Sequence, residues 1–131
     1  MDAPRHLLVI RFSALGDIAM AVPVVRNLLQ QYPSLQITFV SVPFAAPLFE
    51  GIERLQFYGA DIRKEFNGLA GMYRLSKKIK EDISFDAVAD LHDVLRTKIL
   101  RFFLGKKTAV IDKGRKEKKS LPGLRIKNSG H

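Results

Sequence analysis

Three short polar clusters hold the side chains whose types suit chemistry: Ser13-Ala14-Leu15-Gly16-Asp17, Asp90-Leu91-His92-Asp93 and Asp112-Lys113-Gly114-Arg115. Each follows an apolar run. Carboxylates and an imidazole beside a cationic loop suit removal of a proton from a hydroxyl, with the cations holding an anionic substrate. A plainer reading competes at each position. Asp17 can cap a helix, and Asp93, just before Val94, is placed as an N-cap. A lone histidine such as His92 is more often structural than catalytic, and a basic run is as readily a solvated surface.

The apolar runs indicate how these clusters would meet. Leu7-Leu8-Val9-Ile10, extended by Phe12, does not alternate, as expected of a strand buried on both faces. The segment that follows contains Gly16, which can take a positive φ or admit another backbone closely. Ile18, Val22, Val25 and Leu29 then mark one face of a helix. Pro23 leaves two starts for that helix. Either it begins near residues 20–23, with the Asp17 carboxylate unengaged in a loop, or it begins at Asp17 and kinks. Further strands are expected at 36–42, 54–58, 85–91 and 108–111, and helices at 43–49, 68–82 and 94–104. Leu69, Met72, Leu75 and Ile79 form the expected inner face of the second long helix, with Lys77, Lys78 and Lys80 outward. Leu95, Ile99, Phe102 and Phe103 form that of the third, which Gly105 ends. The alternation predicts an α/β fold, a doubly wound, mostly parallel sheet of about five strands. Strand carboxyl ends then share one edge, where the three clusters converge.

The 131 residues, 47% of them hydrophobic, suit one domain with an adequate core. Cysteine is absent, which excludes disulfides and thiolate metal sites and allows a cytoplasmic location. No apolar run approaches the ~18 residues of a membrane span, and residues 1–6 do not open a signal peptide. The net charge of +9 is concentrated: residues 105–131 hold nine Lys/Arg against Asp112 and Glu117. Such a patch calls for an anionic partner at one end of the molecule. Residues 1–119 are expected to form the domain, and the basic stretch 120–131 to be disordered. No dinucleotide fingerprint, Walker A sequence, nucleophile elbow or metal-ligand spacing occurs, so no metal or cofactor is expected.

The run Leu8-Val9-Ile10-Arg11-Phe12-Ser13-Ala14-Leu15-Gly16-Asp17-Ile18, followed by Ala21-Val22-Pro23-Val24-Val25-Arg26, resembles the amino terminus of glycosyltransferase family 9. These are the ADP-heptose:lipopolysaccharide heptosyltransferases. Asp90-Leu91-His92 with Arg96-Thr97 is similar to a second family landmark, and Asp112-Lys113-Gly114-Arg115-Lys116 to a third. The resemblance implies a Rossmann-like domain, the acceptor-binding half of a GT-B fold. It implies an inverting, metal-independent transfer of heptose from ADP-heptose to the lipopolysaccharide inner core, with Asp17 as general base. Arg11, Ser13, Gly16, Asp90, His92, Arg96, Lys113, Arg115 and Lys116 would bind the acceptor. The donor-binding half is not among these residues, so the chain is expected to be inactive alone. A cytoplasmic location follows, with peripheral contact to the inner membrane. The alternative from another class is a stand-alone basic module binding nucleic acid or another polyanion. Aromatic residues do not interleave with the terminal lysines, which counts against nucleic acid. A flavodoxin-like signalling domain ranks last, for want of an acidic cluster after the first strand.

Overall fold

A computed structural model describes residues 5–112 and 123–127. Its elements in chain order are β1 (His6–Ile10), α1 (Leu15–Gln31), β2 (Gln36–Ser41), a 3₁₀ segment (Pro43–Phe49), β3 (Leu55–Gly59), α2 (Gly68–Asp82), β4 (Ala87–Asp90), α3 (Leu95–Leu104), β5 (Lys107–Asp112) and β6 (Gly123–Lys127). The sheet order is β3-β2-β1-β4-β5-β6. The first five strands in sequence are mutually parallel, and β6 adds antiparallel to β5. The doubly wound α/β fold expected from the sequence is the one observed. The tail is a correction: residues 123–127, expected to be disordered, form an edge strand. Its backbone pairs with β5, and such pairing needs no apolar face of the kind whose absence argued for disorder.

Central β1 explains its unbroken apolar run. Leu7 and Val9 join the core beneath α1 and the 3₁₀ segment, whereas Leu8 and Ile10 join the core beneath α2 and α3. All four are fully buried, as alternation in a strand covered on both faces requires. The chain reverses direction across the sheet between β1 and β4, whose neighbouring carboxyl ends open at that switch point.

Helix α1 starts at Leu15 and continues through Pro23, an exposed position where a missing N–H leaves the inner face undisturbed. Asp17 therefore lies in the first helical turn, and Gly16 beside it has no positive φ. Arg54 closes the other end of α1 by donating to the carbonyls of Leu29, Tyr32 and Leu35. Gly105 ends α3 at φ 70°, the left-handed conformation for which glycine is suited.

The inner face of α2 is as expected at Met72, Leu75 and Ile79, whereas Leu69 and the inner face of α3 differ from expectation. Leu69, Leu95 and Phe102 point outward, while Thr97, Leu100 and Leu104 of α3 and Gly71, Met72, Leu75, Ser76 and Ile79 of α2 are buried. Helix α3 has two apolar stripes in ten residues, so periodicity alone does not choose between them. The turn before it does. The Thr97 hydroxyl both accepts from the Val94 N–H and donates to the Val94 carbonyl, each at 3.0 Å, and fixes the helix entry. Val94, not Asp93, is the N-cap residue. In urea titrations, Leu100→Ala should lower the unfolding free energy by about 2–5 kcal/mol, whereas Leu95→Ala should change it by about 0.5 kcal/mol or less.

Candidate functional site

The opening between the carboxyl ends of β1 and β4 is closed over by one guanidinium. Arg11 follows β1, and its Nη1 donates to the Leu91 carbonyl at 2.7 Å. Its Nη2 donates to Asp17 Oδ2 at 2.9 Å. The Arg11 side chain is 19% exposed and that of Asp17 is 56% exposed, so the pair reaches from the interior to solvent. Only one carboxylate oxygen of Asp17 is engaged among the described residues.

His92 lies alongside. The Phe12 N–H donates to its Nδ1 at 3.3 Å, which leaves the ring hydrogen on Nε2. Nε2 sits 3.4 Å from Ser13 Oγ. The ring is thus arranged as a neutral donor facing Ser13. Its pKa lies below the ordinary value of 6.5, first because of burial and then because of the nearby Arg11 charge; Asp90 and Asp17 act the other way. His6, at the opposite edge of the sheet, is also lowered by burial and bonds Thr38 Oγ1 at 2.7 Å.

Beside Ser13 and His92 a groove of about 490 Å³ runs between the first turns of α2 and α3. Leu69, Met72, Val94, Leu95 and Ile99 supply an apolar lining, and Arg96 supplies a cation. These apolar residues were not among the expected site residues: the pattern marks Leu69, Met72, Leu95 and Ile99 as core, and the outward position of Leu69 and Leu95 opens the groove beside them.

The remaining expected site residues separate. Asp90 faces its own turn: Oδ1 accepts from the N–H groups of His92 at 3.0 Å and Asp93 at 2.8 Å. Its Oδ2 is buried 3.4 Å from Arg101 Nε. That carboxylate organises the loop that presents His92. Gly16 is exposed, and a methyl group there would meet nothing within 4 Å. Lys113, Arg115 and Lys116 lie outside the described residues; β5, which precedes them, ends at the same sheet edge as β1 and β4. Among the described residues no cluster of metal-ligating side chains occurs.

No family model matches the chain. A curated relative, the lipopolysaccharide core heptosyltransferase OpsX of Haemophilus influenzae, is 28% identical over 122 residues. The alignment covers 93% of this chain and 33% of the relative. The chain is similar to the amino-terminal region of glycosyltransferase family 9 heptosyltransferases. A solved glycosyltransferase family 9 structure from Veillonella parvula superimposes with a TM-score of 0.75 at 22% identity, covering 82% of this chain and 32% of that one. The heptosyltransferase WaaC of E. coli with ADP gives a TM-score of 0.65 at 16% identity, over 82% and 36% of the two chains. These structural likenesses concern the fold. The chain spans about a third of the length of the curated relative it matches.

Two outcomes test the geometry. Because the folded pKa values of His6 and His92 lie below 6.5, the unfolded chain takes up these protons first as pH falls. Their contribution to stability is full above about pH 6.5 and is lost as pH falls through the folded values. The urea midpoint should drop between about pH 7 and about pH 5, and drop less in a His6→Gln/His92→Gln variant. Asp90→Ala, which removes both loop hydrogen bonds, should destabilise by about 1–3 kcal/mol. Asp90→Asn, which keeps the Oδ1 acceptor, should cost less than Asp90→Ala in the same titration.

Proposed function

We propose that this chain is the acceptor-binding part of a glycosyltransferase that moves a heptose from ADP-heptose to the lipopolysaccharide inner core. The observation that carries the reading is the Asp17 carboxylate, held by Arg11 over the switch point with one oxygen uncommitted among the described residues. Similarity to a lipopolysaccharide core heptosyltransferase supports the substrate class.

In this reading Asp17 takes the proton from an acceptor hydroxyl as that oxygen attacks the anomeric carbon of the donor sugar. The bond from that carbon to the diphosphate breaks, its electron pair leaves with ADP, and the configuration inverts. His92 Nε2–H and Ser13 orient the acceptor. Arg96 and the basic loop with Lys113, Arg115 and Lys116 hold its phosphate or carboxylate groups by charge-assisted hydrogen bonds. The exposed Gly16 leaves room beside Asp17. Asp90 acts from behind, through its loop. The donor would be held by a second Rossmann-like half of a GT-B arrangement, and this stretch of residues alone binds acceptor without transferring sugar. Neither metal nor cofactor takes part. The setting is cytoplasmic, at the inner membrane. Among the described residues no helix is long and apolar enough to cross a membrane.

Titrating a phosphorylated inner-core oligosaccharide into the chain tests the site. Arg96→Ala should weaken binding by about tenfold or more, as loss of a charge-assisted bond does. Asp17→Asn should leave binding within about threefold, but reduce turnover by about 10²–10⁴ once the chain is joined to a donor domain. Retained turnover would remove Asp17 from the base role. Tight oligonucleotide binding with no response to core sugars would favour the polyanion module instead.

A further inference from the structure

His92 is held by its ring and by its backbone. The ring accepts from the Phe12 N–H at Nδ1, 3.3 Å away, and sets Nε2 3.4 Å from Ser13 Oγ. The His92 backbone N–H donates to Asp90 Oδ1 at 3.0 Å, and the same oxygen takes the Asp93 N–H at 2.8 Å. Asp93 sits at φ 51°, a left-handed conformation that a residue other than glycine keeps only where its surroundings hold it. One carboxylate therefore sets the turn that aims the ring.

The Asp90 side chain is fully withdrawn from solvent. Its Oδ2 has no hydrogen-bond partner among the described residues. A buried carboxylate in that state is costly unless an opposite charge stands beside it. Arg101 supplies that charge, with Nε 3.4 Å from Oδ2. It belongs to α3, whose first turn lines the groove beside His92. Arg101 reaches back to the loop that enters its own helix, where its Nη2 also lies 3.4 Å from Asp93 Oδ1. The two contacts are unequal. The Asp93 side chain is 62% exposed, so water screens that pair. The buried Asp90 pair is screened far less.

We propose that Arg101 is a positioning residue for His92: by countering the buried Asp90 charge, it keeps the turn between β4 and α3 in the form that presents Nε2–H toward Ser13 and the groove. Without Arg101, the uncompensated carboxylate is drawn toward water and its hold on the two N–H groups loosens. Nδ1 then parts from the Phe12 N–H, and the ring loses its fixed tautomer. A purely structural ion pair would only fasten α3 to β4. The shared Oδ1 makes the aim of the ring answer to the same pair. That His92 acts on an acceptor rests on the function proposed above; the dependence of the ring on Arg101 does not.

NMR of the histidine rings in the whole chain tests it, with His6 at the opposite edge of the sheet as internal reference. Above about pH 8 both rings are neutral, and the nitrogen shifts of His92 should place its hydrogen on Nε2. Arg101→Gln should give mixed tautomers at His92 and raise its pKa toward the ordinary 6.5, as the ring leaves its buried position and the Arg11 and Arg96 charges. Asp90 and Asp17, which act the other way, limit that rise. His6 should not change. Arg101→Lys, which keeps the charge, and Asp93→Asn, which removes only the exposed contact, should both preserve the wild-type His92 pattern. Arg101→Gln/Asp90→Asn removes both charges and keeps the Oδ1 acceptor, so it should return the hydrogen to Nε2. Having no buried ion, the double variant also serves if Arg101→Gln alone does not fold. In titrations with the phosphorylated oligosaccharide, Arg101→Gln should weaken binding about two- to tenfold. Added to His92→Gln, it should cost nothing further. The proposal is overturned by an unchanged His92 tautomer in Arg101→Gln, by His6 and His92 changing together, by failure of the double variant to restore Nε2–H, or by additive losses in Arg101→Gln/His92→Gln. No oligosaccharide binding by the wild-type chain would strike the proposed function and leave the ring result standing.

Discussion

The Arg11 guanidinium is the constraint on which the switch-point geometry depends. It sits largely buried where β1 gives way to α1, and burial of a charge is tolerated only when it is paired and hydrogen-bonded. The Leu91 carbonyl and the Asp17 carboxylate meet that requirement at Nη1 and Nη2 from two directions, one from the exit of β4 and one from the first turn of α1, while the buried Nε has no partner among the described residues. A single side chain thus ties together the two segments that border the opening. The contact from the Phe12 N–H to His92 is a second tie across the same gap. The width of the opening and the aim of its polar groups follow from these two links.

Two aspartates at this edge differ because their surroundings differ. Asp90 spends one oxygen on backbone N–H groups and buries the other near Arg101, so it serves the loop. Asp17 projects toward solvent from a helix and shares only one oxygen with Arg11. A carboxylate available to a substrate and a carboxylate consumed by the fold can therefore stand at neighbouring strand ends. The groove next to them adds apolar walls on one side only, which gives the site a polar flank toward α1 and an apolar flank toward α2 and α3.

The two covering layers are not equivalent. One is nearly neutral, and buries most of its apolar side chains against the sheet while Leu15, Met20 and Phe44 stay exposed. The other satisfies the sheet with Thr97, Leu100 and Leu104 and the inner residues of α2, and has apolar side chains left over. That surplus is edged by lysines, which the other layer lacks. The site opens at one end of the sided layer, so whatever approaches that layer also approaches the groove.

Much of the fold was legible from local pattern. The double burial of β1 shows in its unbroken apolar run, Gly105 marks the end of α3, and the β-α alternation dictates a parallel sheet whose strand ends share an edge. Asp17 and His92 were legible as candidates for the same reason, since they follow strands, and Arg11 through the resemblance alone. The role of Asp90, the Val94 cap, the continuation of α1 through Pro23 and the pairing of 123–127 were not, because each depends on a partner distant in sequence or on backbone geometry. The sequence by itself determined which elements form before residue 112 and at which edge the polar clusters gather, because apolar periodicity and turn chemistry act over a few residues. Only the tertiary structure decided which stripe of α3 faces inward and which carboxylate stays available, because a ten-residue helix with two apolar sides takes its rotation from the loop that enters it and the layer it packs against.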